Sequence, residues 1–135
     1  MTVPRRHRRV TRRTATRSES SEQKALVHWA TLQARTTYPE LALLYAVANG
    51  GRRDVITGAR LKAEGVRPGV PDLCLPVARG PWHGLYIELK ASGGHVSPVQ
   101  REWIAALNAQ QYHAVVCVGW QAAADTITAY LRGGA

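Results

Sequence analysis

The sequence contains no phenylalanine and only two cysteines, Cys74 and Cys117. Two thiols are too few for a disulfide framework or a cysteine-rich zinc site. Each stands in an apolar run, Leu73-Cys74-Leu75 and Val116-Cys117-Val118. Both therefore read as small buried hydrophobes in a reducing compartment. No apolar stretch approaches the roughly 18 residues of a membrane span, and the start of the chain has no secretory h-region. The expectation is a cytoplasmic protein with no membrane partner. The five histidines show no metal-ligand spacing, which argues against zinc hydrolysis. A Gly-x-x-x-x-Gly-Lys-Ser/Thr loop is missing, so no nucleotide cofactor is expected. There is also no Gly-x-Ser-x-Gly setting for a serine nucleophile.

What is present is an ordinary apolar share, 45% of 135 residues, enough for one domain with a core. The formal charge of +9 is distributed unevenly. Residues 1–17 carry seven arginines (Arg5, Arg6, Arg8, Arg9, Arg12, Arg13 and Arg17) and no acid. The rest carries 11 basic and 9 acidic side chains and is nearly neutral. The composition thus divides the chain into an arm, residues 1–18, and a domain, residues 19–135. With few apolar residues, Val3, Val10 and Ala15 among them, the arm cannot offset the entropy cost of ordering, and disorder is expected. Dense arginine displaces counterions from phosphate backbones, so nucleic acid is the partner the arm favours. A solubilising tail or a targeting presequence are the plainer readings. A presequence should show an apolar face that this arm barely has.

Along the domain, Ser20 and Gln23 have capping-box spacing, and a helix is expected through about Arg35. Leu26, Trp29, Ala30 and Gln33 share its apolar face, and Glu22 falls on the same side. That carboxylate can serve the helix dipole or point into a cleft. Leu41–Ala48 reads as a strand entering an Asn49-Gly50-Gly51 turn. A short helix over Thr57–Glu64 closes at Gly65. Strands are expected at Asp72–Val77, Leu85–Lys90 and His113–Val118. A helix runs from a Ser97 cap and Pro98 to about Ala109, and a last helix covers Gln121–Leu131. Trp82, beside the Gly80-Pro81 turn, is a candidate to stack on a base or meet a partner.

The chemistry concentrates in Pro71-Asp72 and Ile87-Glu88-Leu89-Lys90. Strand alternation points Glu88 and Lys90 to one side, with Leu85, Ile87 and Leu89 on the other. Asp72 opens the preceding strand, so its carboxylate can lie beside Glu88. Clustering two carboxylates and an ammonium is costly unless a cation or a substrate compensates. Mg2+ suits this set: Asp72 and Glu88 as ligands, the backbone carbonyl of Leu89 as a further oxygen, and water completing the shell. Lys90 would hold the attacking water and offset charge developing on a phosphate. The plainer reading is an exposed Glu88–Lys90 ladder pair with Asp72 as a turn residue.

Several separated segments stand in order: Ser21-Glu22-Gln23-Lys24-Ala25-Leu26 with Trp29, Ala48-Asn49-Gly50-Gly51, and Gly58-Ala59-Arg60-Leu61-Lys62-Ala63-Glu64-Gly65-Val66. Pro68-Gly69-Val70-Pro71-Asp72-Leu73, Gly84 to Lys90, Ser97-Pro98-Val99-Gln100 with Trp103, and a Val-Gly-Trp element ending at Trp120 follow. Together they resemble the virus-type replication-repair nuclease (VRR-NUC) family of the PD-(D/E)xK nuclease superfamily. The resemblance spans residues 19–131 and leaves the arm outside, so the arm's DNA role rests on charge alone. It implies an α/β restriction-endonuclease-like core, with a helix, three strands, a helix and a strand around a mixed central sheet. It also implies a Mg2+-dependent DNA endonuclease, with Mn2+ as a substitute ion, in which Asp72, Glu88 and Lys90 form the metal and catalytic site. Glu22 becomes a first-helix acid at the same cleft. Gln100 faces the site, although its place in a Ser-Pro-x-Gln cap already accounts for it. Small single-domain members resemble homodimeric Holliday-junction resolvases, so branched DNA is the expected substrate and a homodimer the expected assembly. The alternatives are a nuclease of flaps, single strands or plain duplex, and a catalytically silent DNA-binding module.

Overall fold

A computed structural model describes residues 17–48 and 55–134, with the side chains of residues 55–57 left out. The arginines from Arg5 to Arg13 and the Asn49-Gly50-Gly51 turn lie outside the described residues. Among the described residues four α-helices and four strands follow in the order α1 (Glu19–Ala34), β1 (Tyr45–Ala46), α2 (Val55–Ala63), β2 (Leu73–Leu75), β3 (Leu85–Lys90), α3 (Pro98–Ala109), β4 (His113–Val118) and α4 (Trp120–Leu131). The strands form one mixed sheet in the order β1-β2-β3-β4. The first two pairings are antiparallel, and β3 runs parallel to β4. A parallel pair needs a crossover, and α3 supplies it. The fold is α/β.

Period-two alternation on β3 divides the sheet into two unlike faces. Leu85, Ile87 and Leu89, each about 1% exposed, meet Leu73 and Leu75 of β2 and Cys117 of β4 on one face. Leu26 and Ala30 of α1 and Ala123, Ala124, Ile127 and Tyr130 of α4 close over them. Burying each of these large aliphatic side chains contributes roughly 1.5–3 kcal/mol. The buried Tyr130 hydroxyl donates to the Val77 carbonyl at 2.6 Å, so its polar end is satisfied inside the core. The opposite face carries Cys74, Tyr86, Glu88 and Lys90. At its β4 edge, Val116 and Val118 remain 40% and 57% exposed.

Three local expectations are corrected. The cap of α1 is Ser18, two residues before Ser20: it has extended backbone and accepts from the Ser21 N–H at 3.1 Å. Leu41–Ala48 is not one strand. Pro39 starts a 3-10 helix through Leu43, which turns Leu41 into the core and leaves Leu43 exposed, and only Tyr45–Ala46 pairs with β2. Proline fixes the first helical φ, and a 3-10 turn needs few residues. Trp82 is no open stacking plate either. It packs against the core with its ring 5.0 Å from that of His113, and its indole N–H is buried without a partner.

Candidate active site

The register that pairs Leu73 with Ile87 carries Asp72 to a position opposite Glu88. Pro71 is fully buried, and Val47 donates to the Asp72 carbonyl at 2.7 Å, which holds the entry to β2 in place. The side chain of Asp72 then reaches across, and its Oδ2 accepts from the Leu89 N–H at 2.8 Å. A strand residue's N–H and C=O point to the same edge. The Leu89 carbonyl is therefore turned toward Asp72 as well.

Glu88 is 2% exposed, an expensive place for a carboxylate. Its Oε1 accepts from Gln100 Nε2 at 2.9 Å and lies 3.3 Å from Lys90 Nζ. Its Oε2 is buried and has no hydrogen-bond partner. Burial, reinforced by the nearby charge of Asp72, pushes the Glu88 carboxyl up to about 7 against the opposing pull of Lys90. Burial also raises Asp72, partly offset by the Leu89 N–H.

Gln100 takes part in two contacts at once. The Ser97 hydroxyl accepts from the Gln100 N–H, and the Gln100 amide oxygen accepts from the Ser97 N–H at 2.9 Å, completing a capping box. The amide nitrogen of the same side chain is left free to hold Glu88. The helix cap thereby fixes the orientation of a group in the site.

The two acids of α1 divide differently from the spacing argument. Glu22 is buried, but its oxygens already have partners: Oε2 accepts from the Trp120 N–H at 2.7 Å, and Oε1 pairs with Arg17 at 3.3 Å. The acid that approaches the cluster is Glu19, with Oε1 3.7 Å from Lys90 Nζ. Glu19, Glu22 and Leu26 lie three and four residues apart on one helix stripe, and that spacing was the available signal. Lys90 thus stands between Glu88 and Glu19, and its own carbonyl accepts from the Gly119 N–H at 2.8 Å.

Asp72, Glu88, Lys90 and Gln100 therefore converge on one face of the sheet over its two central strands, with the Leu89 carbonyl beside them, whereas Glu22 and Arg17 pair with each other nearby. Among the described residues no three or more His, Cys, Asp or Glu side chains gather as a metal cage. The donor set is instead two carboxylates and a carbonyl, the hard-oxygen set that leaves room for water and phosphate oxygens around Mg2+. The orphaned Oε2 of Glu88 fits such an ion, because a buried carboxylate oxygen with no donor requires a cation or a proton.

Two acids, a lysine and a strand carbonyl gathered on one face of a mixed α/β sheet are a set that could hold a divalent ion. The family model for the VRR-NUC domain matches residues 5–121, and the chain belongs to that family of nuclease domains. A solved structure described as "VRR_NUC domain protein" is similar at 30% identity, with a TM-score of 0.76 over 89% of this chain and 93% of that one. No curated protein matches the chain.

Proposed function

We propose that the chain is a Mg2+-dependent DNA endonuclease that acts as a homodimer on branched DNA such as Holliday junctions, with Mn2+ able to replace Mg2+. The observation that carries the metal and the chemistry is the buried, partnerless Oε2 of Glu88 opposite Asp72. Asp72, Glu88 and the Leu89 carbonyl would hold the ion, which when bound supplies positive charge at the scissile phosphate and lowers the pKa of a water. Lys90 positions the attacking water and offsets the negative charge that builds on the phosphate oxygens. Gln100 keeps Glu88 turned into the site, and Glu19 restrains the Lys90 ammonium. Arg5, Arg6, Arg8, Arg9, Arg12, Arg13 and Arg17 contact the DNA backbone through charge. The exposed Val116 and Val118 on β4 are the surface that favours a two-fold partner, which would set two cleavage sites symmetrically on a junction.

The test is cleavage of four-way, flap, single-stranded and linear DNA with and without Mg2+. Asp72→Ala, which removes a metal ligand, and Lys90→Ala, which removes a transition-state donor, should each lower the cleavage rate by about 10²–10³-fold or more. Undiminished cutting by both variants refutes the site. Equal rates on all four substrates would make this a nuclease without junction preference. Tight binding with no metal-dependent cutting would make it a silent DNA-binding module.

A further inference from the structure

The face of the sheet that carries Asp72 and Glu88 continues into a row of aromatic side chains that the proposed hydrolysis does not use. Tyr45 pairs in register with Cys74, and Cys74 with Tyr86, so the three side chains share that face. The row lies two residues along the strands from the Asp72–Glu88 pair, about 7 Å away. Tyr86 is braced from behind. Its ring meets that of Tyr112 edge-on at 5.5 Å and 78°, and Tyr112 in turn meets His83 at 5.6 Å and 64°. The phenols of Tyr45 and Tyr86 both flank the thiol of Cys74, which is 4% exposed. Of the three, Tyr45 alone opens outward, 50% exposed on a strand only two residues long.

An exposed aromatic ring one short step from a phosphodiester site has a natural occupant. The base attached to the nucleotide at the cut can reach about that far from its own phosphate. Every base has a flat π face, so a tyrosine plate accepts it without reading its identity. A base stacked and paired inside a duplex cannot lie on that plate. It must first leave the helix, and the cost is least where pairing is already broken.

We infer that Tyr45, supported by Tyr86, receives the unstacked base of the nucleotide adjoining the scissile phosphate, and so selects phosphodiesters next to unpaired bases. This rests on the DNA substrate proposed above and adds the feature of the DNA that the site recognises. It also gives a branch or a frayed end an advantage over plain duplex.

The test places 2-aminopurine at successive positions through the branch point and its flanking arms and measures its fluorescence on binding, without divalent ion so that nothing is cleaved. The parent protein should quench the probe at one flanking nucleotide. Tyr45→Ala and Tyr45→Leu should lose that quench, whereas Tyr45→Trp should keep it. With Mg2+ present, Tyr45→Ala should cut the junction at least tenfold more slowly than the parent. An abasic nucleotide at the quenched position should slow the parent by a similar factor and leave Tyr45→Ala unaffected. An absent quench in the parent, or the same quench in Tyr45→Leu, overturns the inference. So does an equal effect of the abasic site on parent and variant. Because the fluorescence measurement needs no turnover, a protein that binds but never cuts would refute the nuclease reading while still deciding the role of Tyr45.

Discussion

At the scale of single residues, Glu88 has the sharpest consequence. Its carboxyl is raised from 4.5 to about 7, chiefly by burial. Between those values the unfolded chain has released the proton and the folded chain still holds it. The stability of the metal-free protein therefore falls as pH rises through that window. A divalent ion must displace the same proton, so its apparent affinity should rise about tenfold per pH unit up to near 7 and then level off. Calorimetric titration of Mg2+ or Mn2+ at several pH values checks this, and Glu88→Gln should abolish both the strong site and its pH dependence. A flat affinity below pH 7 would show that Glu88 is not the titrating ligand. The spacing of Asp72, Glu88 and Lys90 was legible because strand alternation is a local rule. Glu19 was not singled out, although it stands on the same stripe as Glu22. Which of two acids on one helix face reaches the lysine depends on where α1 lies against the sheet, and no local pattern encodes that.

At the scale of elements, α4 begins without a side-chain cap of its own. Gly119 occupies the cap position at φ 83°, and Glu22 from α1 accepts the Trp120 N–H in its place. A carboxylate at a helix N-terminus also meets the favourable end of the dipole. Glu22→Ala should therefore cost about 1–2 kcal/mol, comparable with loss of a cap, measured by urea unfolding. Glu22→Gln should recover most of that, since its amide oxygen still accepts. If Glu22→Gln is stable yet cuts poorly, the carboxylate also acts in the cleft, as the resemblance implies. The boundaries of β3 and α3 followed directly from alternation, the Ser97-Pro98 start and the capping box. The segment before β1 did not. Leu41–Ala48 has strand composition throughout, and only the need to bury Leu41 beneath the sheet, with Pro39 opening a tight turn, separates it into two elements.

At the scale of the whole molecule, the arm and the domain should separate cleanly in experiment. Removing residues 1–16 takes away six arginines but spares Arg17, which pairs with Glu22, and the Ser18 cap. DNA affinity should drop, and the log–log salt slope should shrink by up to about 5, at roughly 0.9 per lost phosphate contact. Fluorescence anisotropy from about 50 to 200 mM salt measures it, and an unchanged slope would assign the arm another task. The sequence by itself determined the α/β class, the family, the concentration of arginine in residues 1–17, and the strand that carries Glu88 and Lys90. The family follows from separated motifs in order, and the rest from charge counts and from the two- and 3.6-residue periods, which are short-range properties. Only the tertiary structure decided that Gln100 holds Glu88, that Glu19 meets Lys90, that Glu22 caps a helix on the far side of the chain, and that Tyr45 and Tyr86 share the catalytic face. Each of those depends on register and on helix placement over the sheet, and both are fixed when the core packs.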